Sequence, residues 1–137
     1  MSKRELKALF AELWYDGKDE KLINSVLTLP ECALDEELIF WAADMYIEID
    51  EYYKAACILE ALKDRFGDMY RWHLKRGKVF LYASMSDDLQ NSSGCRRVLL
   101  DKASSEFEAA LKSEPPETVR EEIGEFFELI SEEADEL

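Results

Sequence analysis

Two stretches of the chain carry the same spaced set of small and large apolar residues, 34 positions apart, and this limits the fold more than any single residue does. In residues 36–69, Ala43-x2-Tyr46 is followed by Tyr52 and by Ala55-x3-Leu59. One period later Gly77-x2-Phe80 takes the Ala43 and Tyr46 places, and Ala103-x3-Phe107-x2-Ala110, ending in Pro115, supplies the second half. Small residues let two helices approach, and the large ones fill the space that follows. A set of this kind recurring at a fixed period marks an internal repeat, each unit burying its apolar side against the next.

Helical periodicity runs through most of the chain, and only 5 glycines and 3 prolines interrupt it. A Ser2-x2-Glu5 capping box opens a first helix to about Trp14, and a second spans about Lys18 to Leu29, before Pro30. Asp35 caps a third, in which Leu38, Ile39, Trp41, Ala42, Met45, Tyr46 and Ile49 cover more than one face, as an interior repeat helix requires. Its partner spans Tyr52 to Phe66 with Gly67 as the stop. Another helix starts near Met69 or Tyr70 and runs through Trp72, Leu74, Gly77, Phe80 and Leu81. A glycine inside a helix costs about 1 kcal/mol relative to alanine, so Gly77 is expected where backbones pack closely, opposite the helix that carries Ala103. A Thr118-x2-Glu121 box then starts a last helix, with Val119, Ile123, Phe126, Phe127 and Ile130 on one face.

The spaced Ala, Gly, aromatic and Pro positions resemble the tetratricopeptide repeat (TPR). The resemblance implies an all-α, TPR-like antiparallel helix-hairpin superhelix of about seven helices in a single domain over residues 1–137. Residues 1–34 would be a divergent first hairpin, 36–69 and 70–116 two repeats, and 117–137 an acidic capping helix. The second repeat departs from the pattern: 26 positions separate Gly77 from Ala103, where 12 separate Ala43 from Ala55, which leaves 14 extra residues near 84–97. This polar segment is either a protruding loop or the tip of two extended helices. Ser86, followed by Asp87 and Asp88, has the form of a phosphorylation site, and Asn91-Ser92-Ser93 that of a glycosylation acceptor.

Charge and cysteine content narrow the partners. Seventeen Lys and Arg stand against 31 Asp and Glu, a net charge of -14. Such a chain repels phosphate backbones and anionic membranes, so the expected partner is a protein or peptide rather than nucleic acid. No apolar run approaches the roughly 18 residues of a membrane span, and the N-terminus has no signal-peptide core, so neither insertion nor export is expected. Cys32, Cys57 and Cys95 form neither an even disulfide set nor a C-x2-C pair, which fits a reducing cytoplasm; Cys57 is expected in the core. From Glu114 onward ten acids face one base, Arg120, as the solvated outer face of a closing helix would.

One helix runs against the acidic trend. Arg71, His73, Lys75, Arg76 and Lys78 fall within it, and Arg71, Lys75 and Lys78 share a side that continues to Tyr82. In tetratricopeptide repeats the first helix of each hairpin lines the concave groove that binds extended peptides. The resemblance therefore implies a binding set of Phe40, Asp44, Arg71, Leu74, Lys75, Lys78 and Tyr82. Arg71 and Lys75 match the basic pair with which chaperone adaptors of this family grip a C-terminal carboxylate. Trp41 and Ala11, beside Lys7, depart from the asparagines of that clamp. Catalysis is not expected: His73 is the sole histidine, and acids adjacent in sequence, such as Glu36 with Glu37 or Glu121 with Glu122, point in different directions on a helix. No metal or cofactor pattern is present. The function so implied is a non-catalytic interaction adaptor or chaperone-like module, monomeric or within a multiprotein complex. A structural subunit of a self-assembled or larger helical complex is the alternative.

Overall fold

A computed structural model describes residues 36–137, which are all-helical, without a strand. The helices are α1 (Glu36–Glu48), α2 (Tyr52–Ala61), the single turn α3 (Lys63–Phe66), α4 (Tyr70–Ser84), α5 (Ser93–Lys112) and α6 (Glu117–Asp135), with a 3-10 turn at Asp87–Leu89. The expected hairpin over residues 1–34, Cys32 and the Asp35 cap lie outside the described residues. The chain divides into two compact units, residues 1–51 and 52–137.

In the first unit α1 buries Phe40, Ala42, Ala43, Met45 and Tyr46. Burial, and behind it the charge of Glu51, pushes the Tyr46 phenol above its ordinary pKa. The helix closes with Glu51 N–H donating to the Tyr46 carbonyl at 2.9 Å and Asp50 N–H to that of Ile47 at 3.1 Å. This is the paired bonding of a Schellman stop, with Asp50 at φ 62° in the place usually given to glycine.

The second unit begins with α2, whose inward residues Ala55 and Leu59 are one turn apart. Cys57 lies between them in sequence and therefore about 200° round the helix from Ala55; it is exposed rather than in the core, a correction that helical geometry explains. The expected single helix from Tyr52 to Phe66 is broken at Leu62. There the Leu59 carbonyl accepts the Leu62 N–H at 3.2 Å and the Trp72 indole N–H at 2.7 Å, and the chain restarts as α3. Gly67 does stop α3, yet in right-handed conformation at φ -64°.

Helices α4 and α5 form an antiparallel hairpin, and the 14 extra residues lengthen its helices and form the short tip between them. The core joins Leu74 and Leu81 of α4 to Leu100, Ala103, Phe107 and Ala110 of α5 and to Ile123 and Ile130 of α6. At Gly77 an added Cβ would stand 2.6 Å from the Phe107 ring, so a backbone position without a side chain is required there. The close approach expected at Gly77 is present; the group that fills it is Phe107, one turn beyond Ala103. Helix α6 starts at Pro116, whose carbonyl accepts the N–H groups of Val119 and Arg120, and not with the expected Thr118 box: no side chain caps this terminus.

Candidate interaction surface

The seven residues expected to bind a partner fall in both units. Phe40 and Asp44 lie on α1; Phe40 is 1% exposed and Asp44 half-buried. The other five lie on α4. Leu74 is only 6% exposed and belongs to the core, so its apolar area is already covered. Arg71, Lys75, Lys78 and Tyr82 remain half-buried along one side of the helix.

That side is met by α6. Lys78 Nζ lies 3.0 Å from Glu122 Oε1 and 5.6 Å from the centroid of the Phe126 ring, and the Tyr82 ring meets Phe126 edge-on at 6.4 Å. Further along, Arg96 of α5 donates from Nε to the Ser84 carbonyl at the end of α4, at 3.1 Å. Its Nη2 donates to Glu133 Oε2 at 2.9 Å. The guanidinium is buried because it satisfies a helix C-terminus and a carboxylate together. Lys78 thus pairs with Glu122, Tyr82 with Phe126, and the end of α4 with Glu133 through Arg96, so α6 runs beside α4 in the same direction. Phe107 stands between them, stacked on Phe126 at 4.9 Å and 8°. The resulting order is helix, antiparallel partner, parallel helix.

The remaining charges of α4 face elsewhere. His73 Nδ1 donates to Glu106 Oε2 of α5 at 2.7 Å. Arg76 reaches Glu60 of α2 at 2.8 Å and Glu106 at 3.6 Å. Its guanidinium also lies 5.1 Å from the Trp72 ring centroid and 5.3 Å from that of Phe80. The His73–Glu106 contact has no local signal in the sequence, because Glu106 lies 33 positions away and only the α4–α5 pairing brings it near. Beside this cluster a groove of about 330 Å³ opens between the two helices, lined by Arg76 and Phe80 from α4 and by Val98, Asp101, Lys102, Ser105 and Glu106 from α5. None of these was selected from the sequence as a binding residue. The spacing of Phe80 to Arg76 and of Lys102 to Val98, one turn each, was the available signal.

Among the described residues no cluster of three or more His, Cys, Asp or Glu is placed to hold a metal ion, and no helix is long and apolar enough to cross a membrane. Comparison with protein-family models, with curated proteins and with solved structures gave no match to this chain.

Proposed function

We propose that this chain is a non-catalytic, TPR-like interaction module that holds an acidic or amphipathic protein segment along the side of α4 at Arg71 and Lys75, beyond the Lys78 and Tyr82 positions that α6 occupies. The observation that carries the reading is the engagement of this side by α6. Lys78 takes a carboxylate from Glu122, and Tyr82 and the Lys78 stem take an aromatic ring from Phe126. The side is therefore chemically suited to acidic, aromatic helices, and Arg71 and Lys75 continue it by two further turns. The parallel placement of α4 and α6 about α5 supports the repeat-like reading, since stacked hairpins set their first helices side by side. Exposed free thiols at Cys57 and Cys95 favour a reducing cytoplasm as the setting.

Capture experiments test the proposal. The full chain, immobilised, should retain a protein from source-cell lysate at low salt, and R71E/K75E should lose it while its circular dichroism spectrum still shows a folded, helical chain. Retention should weaken as salt rises, because exposed charges are screened within about 10 Å at 0.1 M. Equal capture by the double reversal would refute the assignment of this side.

A further inference from the structure

We infer that the groove between α4 and α5 is a second docking site, independent of the α4 side above, for a peptide that presents a large apolar side chain next to a single carboxylate. Its apolar part is Phe80, half-buried, and Val98, which is 54% exposed and one of only two large hydrophobic side chains so exposed among the described residues. Two cations cover Phe80: the Arg76 guanidinium at 5.3 Å and the Lys102 ammonium at 5.6 Å from the ring centroid.

The two cations differ in what balances them. Arg76 is neutralised within the protein by Glu60 and Glu106, and Glu106 is shared with His73. Lys102 is exposed and has no carboxylate within ion-pair distance among the described residues, in a chain where acids outnumber bases 31 to 17. An ammonium held over an aromatic ring beside an exposed valine offers an anion a charge-assisted hydrogen bond and an adjoining apolar side chain a surface to cover. Asp101 and Glu106 also line the groove, and with the net charge of the whole chain they disfavour a segment that carries several acids. The complementary segment is therefore apolar with one Asp or Glu side chain, and not a polyacidic tract.

Nuclear magnetic resonance titration of the 15N-labelled full chain decides the matter. The probe is a blocked peptide, acetyl-Leu-Phe-Glu-Leu-amide, compared with its glutamine counterpart. The acidic peptide should give saturable shifts at the amides of Phe80, Val98 and Lys102, with the glutamine peptide at least threefold weaker. In Lys102→Met, which keeps the stem over the ring and loses the charge, the two peptides should bind alike. The inference is overturned by an absence of saturable shifts, by equal binding of both peptides to the wild type, or by shifts of the groove amides on dilution alone, which would mark self-association. It is also overturned if the shifts fall on Arg71, Lys75 and Tyr82, an outcome that would leave the α4 side standing.

Discussion

Among the described residues helix α5 packs against two helices, and it holds them in different ways. Against α4 it approaches closely: Gly77 has no side chain, and the ring of Phe107 occupies the space a Cβ would take. Against α6 it uses surface rather than closeness, stacking the same ring on Phe126 and meeting Phe127 edge-on at 6.1 Å, with Ile123 and Ile130 completing the core. The α6 seat is then fastened at separate points by charge, Lys78 to Glu122 and Arg96 to Glu133. Packing of small against large fixes a distance between two helices. Charged pairs at separated points fix direction and register, because each acid has to arrive at its own cation.

The largest effect is expected where both contacts meet. Phe107→Ala removes the ring from Gly77 and from Phe126 together, and should cost about 3–5 kcal/mol, read as the shift in a urea unfolding midpoint. A loss below about 1 kcal/mol, the scale of an ordinary substitution, would mean that the ring joins neither neighbour as described. Next comes the fastening of α6. Arg96→Ala withdraws two charge-assisted hydrogen bonds from a buried position and leaves the Ser84 carbonyl and Glu133 without that donor. The loss should be about 2–3 kcal/mol, with amide exchange rising most in α6. Smallest is Gly77→Ala, for which two effects oppose. The helix gains about 1 kcal/mol from alanine, while overpacking against Phe107 costs about 1–3 kcal/mol. Because Phe107 is held on its far face by Phe126, it has little room to yield, and the net result should be destabilisation by about 1 kcal/mol. A stabilised Gly77→Ala would show that the helices stand further apart.

The difference between these two interfaces also explains what could be read in the chain beforehand. All-α character and the position of α4 followed from periodicity, and Gly77 pointed to a close approach because a helical glycine costs stability, although Gly124 sits inside α6 with open space around it. The ring opposite it was harder to name. Ala103 and Phe107 lie on the same side of α5, and only the relative height of the two helices selects between them. Leu74 and Phe40 were expected on a binding surface, since an apolar residue between charged ones looks the same whether it faces a ligand or a core. Long-range pairs such as His73–Glu106 and Arg96–Glu133 leave no local pattern, and with nearly two acids for every base many partners were available. The groove at Phe80 was hidden for the same reason, as half of it comes from α5. The break at Leu62 depends on the Trp72 indole reaching the Leu59 carbonyl, a contact between elements that α2 alone does not encode.

The parallel placement of α4 and α6 on either side of Phe107 underlies both the repeat-like reading and the binding side, and proton–proton Overhauser contacts in the full chain test it most directly. The Tyr82 ring should show contacts to the Phe126 ring, the Gly77 α-protons to the Phe107 ring, and the Arg96 side chain to that of Glu133, all in one sample. Contacts joining Tyr82 to the Glu133 end of α6, or an absence of Phe107–Phe126 contacts in a folded chain, would place α6 differently and contradict the account.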